Sequence, residues 1–181
     1  ICYKLKQSPK IKKLICIPGN AGTKEVAENI EANIHNFNEI LEIIKSNNID
    51  MVIVGPEEPL VNGIVDFLNK NQIKVLGPNK YASQLEGSKA FMKDLCKKNN
   101  IPTAKFGIFE DYNSAMNFLN KSNMPIVIKA DGLAAGKGVY ISENYIEASK
   151  AVKEIFDGKF GKAKNLLIEE FLIGEEMSFF I

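Results

Sequence analysis

Short apolar runs, each closed by a glycine–proline corner and spaced by helical patterns, constrain this chain more than any other feature. Residues 14–17 end at Pro18-Gly19, residues 51–54 at Gly55-Pro56 and residues 73–76 at Gly77-Pro78. Each run is too short for a helix and suits a buried strand. Residues 36–46 predict a helix, with Asn36 as its cap and Glu39 three residues on. Phe37, Ile40, Leu41 and Ile44 then share one face. Residues 61–69 predict another helix, with Ile64, Val65 and Leu68 inward. Residues 29–34 alternate, with Ile30, Ala32 and Ile34 on one side, and predict a short strand. Strands and helices taking turns at this spacing predict a parallel sheet with helical crossovers. Ligands of such sheets gather outside the carboxyl ends of the strands, so residues 19–23 and 55–58 mark a candidate rim.

The pattern changes further along. Residues 88–98 predict a helix that stops before Ile101-Pro102. Strands follow at 106–109, 125–129, 139–141 and 166–169, with helices at 112–120 and 145–156. Phe171-Leu172, after the last strand, reads as a buried pair. This second half predicts an α+β unit with hairpin-like antiparallel strands. The expected division is a sheet domain at 1–84, a linking helix at 85–104 and the α+β unit at 105–181. Ile1 falls inside an apparent helix, and Phe179-Phe180-Ile181 inside an apparent strand. The chain therefore reads as trimmed at both ends.

Composition narrows the function classes. With 181 residues, 45% of them apolar, the chain can bury a sizeable core. The 23 basic residues nearly balance the 22 acidic ones, so no steering toward nucleic acid or anionic lipid is expected. No apolar run is long enough to cross a membrane. All the basic residues are Lys, so any phosphate site must use ammonium groups and backbone N–H groups in place of guanidinium forks. Cys2, Cys16 and Cys96 lie far apart, without a Cys-x-x-Cys pair, which argues against a disulfide framework or thiolate zinc and for a reducing compartment. Cys16 reads as a buried strand residue. The single His35 lies among Asn residues at a turn and excludes a histidine-cluster metal site.

Three segments carry chemistry. Lys129-Ala130-Asp131-Gly132-Leu133-Ala134-Ala135-Gly136-Lys137-Gly138-Val139 runs from one strand, through a glycine-rich loop, into the next. Such a loop lets backbone N–H groups approach phosphate oxygens, and Lys129 and Lys137 add charge. It is not a P-loop, since Gly138 follows the lysine and a strand flanks it. Glu169-Glu170-Phe171-Leu172, with Glu175 and Glu176 beyond, leaves a strand edge that offers acceptors and a backbone N–H to an adenine ring. Ser88-Lys89 opens a helix, a place that favours anions.

These segments resemble the ATP-grasp superfamily, in which two α+β lobes hold ATP between them. More closely, residues 18–23, 54–61, 85–89, 102–104, 128–139 and 168–178 occur in the order of the phosphoribosylamine–glycine ligase (glycinamide ribonucleotide synthetase) family. The resemblance covers nearly the whole chain. It implies a Rossmann-like parallel-sheet N-terminal domain lacking its first strand, then the small lobe of an ATP-grasp domain. It implies an enzyme of purine biosynthesis that joins glycine to 5-phosphoribosylamine with ATP and Mg²⁺ or Mn²⁺. Lys129, given the catalytic role, and Lys89 would meet the phosphates, and Gly132, Gly136, Lys137 and Gly138 would close over them. Glu169 would accept from the adenine amino group, with the Glu170 carbonyl and Leu172 N–H beside it. Glu176 would hold the ribose hydroxyls, with Glu175 near. Asn20, Gly22 and Glu57 would face phosphoribosylamine. The metal ligands would lie beyond residue 181, so this stretch alone would bind nucleotide without turnover. The resemblance implies a cytoplasmic enzyme, monomeric or fused to other purine-pathway domains, with no nucleic-acid or membrane partner.

Other readings stay open. One is another ATP-grasp ligase, such as a carboxylase acting on an aminoimidazole ribonucleotide, although the loops at 18–23 and 54–61 argue against it. Another is a non-catalytic nucleotide-binding module. A dinucleotide-binding reductase fits least, because the loop after Lys129 suits a triphosphate better than a pyrophosphate under a helix.

Overall fold

The structure, a computed structural model, describes residues 1–132, 138–161 and 165–179. It divides into two compact units, Ile1–Tyr81 and Ala82–Ile181.

The first unit runs α1 (Cys2–Lys6), β1 (Ile15–Cys16), α2 (Ala21–Lys24), β2 (Glu28–Asn29), α3 (Phe37–Ser46), β3 (Met51–Ile53), α4 (Glu57–Asn62), α5 (Ile64–Lys70) and β4 (Lys74–Leu76). Its described strands form two parallel pairs, β1 with β2 and β3 with β4. Ile40, Ile44, Ile64, Val65 and Leu68 form the core, with Val52, Val54 and Val75 packed on it. As expected, the Asn36 side chain caps α3, accepting from the Glu39 N–H at 3.3 Å.

Two expectations fail here for local reasons. The strand expected at 29–34 is confined to Glu28–Asn29. The Ile30 N–H makes one more bond, to the Cys16 carbonyl at 3.1 Å, and then the partner chain turns away at Pro18-Gly19. The helix expected at 61–69 is two helices. Gly63, at φ +95°, stands between them in a left-handed conformation that ends α4. α4 also begins earlier, at Glu57, because Pro59 falls in its first turn, where a missing N–H costs nothing.

The second unit runs α6 (Gln84–Gly87), α7 (Lys89–Lys98), β5 (Phe106–Phe109), α8 (Tyr112–Leu119), β6 (Ile126–Ala130), β7 (Val139–Ser142), α9 (Tyr145–Phe156) and β8 (Leu166–Glu170). Four strands form one antiparallel sheet in the order β5-β8-β6-β7. Ile126, Ile128 and Ala130 of β6, with Leu166 and Ile168 of β8, bury one face against Ala115 and Leu119 of α8 and Ala148, Ala151, Val152 and Ile155 of α9. Strand residues alternate between faces. The opposite face therefore receives Val127 and Lys129 from β6, and Leu167 and Glu169 from β8. Phe171-Leu172 is not a buried pair: Phe171 is half-buried and Leu172 is 63% exposed. β8 ends at Glu170, so no ladder holds the residues beyond it against the sheet.

Candidate functional site

The opposite face of the second unit's sheet gathers charged side chains. β6 and β8 set Val127 opposite Glu169 and Lys129 opposite Leu167. The Glu169 carboxylate is almost fully buried, and its Oε2 accepts from Lys129 Nζ at 3.1 Å and from Lys93 Nζ at 3.0 Å. Lys93 comes from α7 and is 4% exposed, whereas Lys129 is 27% exposed. Lys93 Nζ also donates to Thr103 Oγ1 at 2.7 Å. Glu169 Oε1 is buried and has no hydrogen-bond partner among the described residues. A bare buried acceptor beside paired ammonium groups suits a ligand donor.

A second cluster joins the start of α7 to the end of β6. Ser88 is the helix cap, and its Oγ accepts from the Phe91 N–H at 3.1 Å. The same hydroxyl donates to the Asp131 carboxylate, 3.1 Å from Oδ2. Asp131 also accepts from the Ala90 N–H at 3.2 Å and from the Asn165 amide at 3.1 Å. The anion that this helix N-terminus holds is therefore the chain's own carboxylate, in keeping with its dipole. Lys89 Nζ donates to the Gly132 carbonyl at 2.9 Å, where the glycine-rich loop begins. Gly132 has φ +102°, a conformation that favours glycine, and nothing lies within 4 Å of where a Cβ would stand. Gly138 is buried at the far end, its carbonyl accepting from the Ala130 N–H at 2.8 Å. Gly136 and Lys137 lie outside the described residues.

The other expected residues are distributed as follows. Glu170 is tied to the β5 edge: its carboxylate accepts from the Lys105 N–H at 2.8 Å, and its own N–H donates to the Lys105 carbonyl at 2.9 Å. Glu175 and Glu176 are exposed. Asn20 and Gly22 lie in the first unit, where Asn20 caps α2 by accepting from the Thr23 N–H at 2.9 Å. Gly22 is within α2, and Glu57 is the first residue of α4. None of the hydrogen bonds among the described residues joins Glu57 to the Asn20 turn. Among those residues no three His, Cys, Asp or Glu side chains gather as metal ligands would.

Lys93, Thr103, Asp131 and Asn165 were not singled out by sequence reasoning. Lys93 did leave a signal. It shares the buried stripe of α7 with Ala90 and Cys96, three residues away on either side. A lysine on such a stripe needs an internal anion.

Comparison with known proteins identifies the family. Residues 1–86 match the family described as Phosphoribosylglycinamide synthetase, N domain. Residues 87–181 match Phosphoribosylglycinamide synthetase, ATP-grasp (A) domain. The phosphoribosylamine–glycine ligase of Mesorhizobium japonicum is 46% identical over 181 residues, taking in 99% of this chain and 43% of that protein. That of Clostridium acetobutylicum is 43% identical over 180 residues, with 98% and 43% covered. Among solved structures, the Thermotoga maritima phosphoribosylamine–glycine ligase superposes with a TM-score of 0.71 at 35% identity, covering 90% of this chain and 39% of that one. N5-carboxyaminoimidazole ribonucleotide synthetase from Thermus thermophilus reaches the same TM-score, 0.71, at 16% identity, and so shares the fold. The chain spans about 43% of the length of the curated relatives it matches. It combines a Rossmann-like N-terminal domain with the small lobe of an ATP-grasp domain. The two family matches meet without a gap, and the chain belongs to the phosphoribosylglycinamide synthetase family.

Proposed function

We propose that this chain is the N-terminal part of an ATP-dependent ligase that joins glycine to 5-phosphoribosylamine, and that its second unit supplies one wall of the nucleotide site. The observation that carries this reading is the bare Oε1 of Glu169 beside the partly exposed Lys129. ATP, when bound, would give its γ-phosphoryl group to the glycine carboxylate with release of ADP, and the amine of phosphoribosylamine would attack the resulting acyl phosphate with release of phosphate.

The chain's own residues have positioning and charge-neutralising tasks. Lys129 meets the phosphates. Lys89, now on the Gly132 carbonyl, reaches them from the start of α7. The loop from Gly132 to Gly138 shields the acyl phosphate from water. Glu169 takes the adenine amino group, with the Glu170 carbonyl and the Leu172 N–H beside it, and Glu176 takes the ribose. Asn20, Gly22 and Glu57 serve the phosphoribosylamine side. No residue needs to act as covalent nucleophile or general base. Mg²⁺ or Mn²⁺ belongs to this reading, but the described residues supply no ligand cluster for it. The reading carries a cytoplasmic location with it. No helix among the described residues is long and apolar enough to cross a membrane.

Lys129→Ala in the full-length polypeptide should weaken ATP binding by roughly tenfold or more, the usual worth of a hydrogen bond to a charged group. Unchanged affinity by calorimetry would remove Lys129 from the phosphate site. Release of ADP that requires glycine and phosphoribosylamine, and not bicarbonate, tests the choice of substrates.

A further inference from the structure

Lys93 is as deeply buried as the Glu169 it pairs with, and the proposed reaction leaves it without a task. A buried lysine is tolerated only with ionic and hydrogen-bonding partners around it. Lys93 has Glu169 Oε2 at 3.0 Å and Thr103 Oγ1 at 2.7 Å, and its Nζ stands 5.5 Å from the centre of the Phe106 ring. Lys129 brings a second ammonium to the same carboxylate oxygen, at 3.1 Å. A carboxylate has two oxygens able to accept from four directions, yet here both cations are on one. The other, Oε1, is buried and has no partner among the described residues.

We propose that Lys93 is a positioning residue for base recognition. By engaging Oε2, with Thr103 fixing its ammonium group, it turns Oε1 toward the 6-amino group of a purine nucleotide. It thereby sets a preference for 6-amino over 6-oxo bases. The inference rests on the nucleotide reading of this cluster. A 6-oxo base would set an acceptor against Oε1 with no proton between them. Sites built to hydrogen-bond a ligand reject the analogue that leaves a buried group unpaired.

The test compares ATP with inosine triphosphate, which carries oxygen in place of the amino group, by calorimetry on the full-length polypeptide. Lys93→Met keeps the length of the side chain and removes the charge. It should raise the Kd for ATP by roughly tenfold or more. Inosine triphosphate lacks the contact already and should change far less, so the ratio of the two affinities falls. Thr103→Val should move the ratio the same way by a smaller factor, and it decides the matter if Lys93→Met fails to fold. An unmoved ratio, or equal weakening of both nucleotides, overturns the role of Lys93. Lys129→Ala, measured in parallel, separates the two ideas. If it binds both nucleotides as tightly as the parent, the nucleotide reading itself falls. If it weakens both while the Lys93→Met ratio stays put, only the role of Lys93 falls.

Discussion

At the scale of single residues, charge in this chain is legible by type and not by partner. The absence of Arg pointed to lysines, and the Lys89 and Lys129 side chains both lie near the start of the glycine-rich loop, Lys89 on the Gly132 carbonyl and Lys129 in the strand before it. Their present partners are tertiary: Glu169 reaches Lys129 through the pairing of β6 with β8, and the Gly132 carbonyl meets Lys89 across 43 residues of chain, which no local pattern encodes. A second charged cluster was equally hidden. Glu154 Oε2 accepts from Lys159 Nζ at 2.5 Å and from the Tyr140 hydroxyl at 2.6 Å. Those two bonds, the lysine's first, hold the Glu154 carboxyl below its ordinary pKa. The bond to Glu154 raises Lys159, and burial raises Tyr140. A depressed carboxyl contributes stability above its unfolded value, and this is lost as pH falls through the folded one. A raised lysine or tyrosine contributes below its unfolded value and loses that as pH rises through the folded one. The cluster is thus strongest near neutrality. Glu154→Gln should flatten the fall of the thermal midpoint between about pH 5 and pH 3, the carboxylate range. Curves that stay parallel to the parent's would show that the cluster contributes nothing on the acid side.

Among elements, helix starts were the most readable feature, because a cap is a local bond. Asn36 and Ser88 both cap as their sequences suggested. Helix interruptions were not readable. Apolar spacing ran unbroken across Gly63, and only its φ of +95° separates α4 from α5. Gly63→Ala forces a side chain into that conformation, with the new Cβ 3.2 Å from Lys80 Cδ. It should lower stability by about 1 kcal/mol or more, read as a lower urea midpoint with the slope unchanged. A variant as stable as the parent would show that the two helices had merged. The short strand at β2 failed to extend for the converse reason. Its residues alternate correctly, but pairing needs a neighbour, and β1 ends at Cys16, just before the Pro18-Gly19 corner.

On the scale of the whole chain, the change from parallel to antiparallel patterning was visible, and each unit has its own core. Leu68 is fully buried in the first, and Leu119 is 1% exposed in the second. Each Leu→Ala substitution should cost about 2–5 kcal/mol. In scanning calorimetry, each should lower the transition of its own unit. A single transition moved equally by both would mean that the cores unfold together. The order of the second sheet was beyond any periodicity. β8 is its last strand in the chain, yet it lies between β5 and β6. During synthesis both neighbours are made before Leu166, a wait of roughly 3–11 s after Phe109 at usual elongation rates. The β5 edge waits through that interval, and the facing β6 edge, complete only at Ala130, through roughly the last 2–7 s of it, with unpaired N–H and C=O groups on which two nascent chains can join. Ribosome-stalled chains ending before Leu166 should retain a holdase chaperone that chains with β8 clear of the exit tunnel release. Equal retention would count against the point. The exposure of this protein to misassembly is then governed by when one central strand leaves the ribosome.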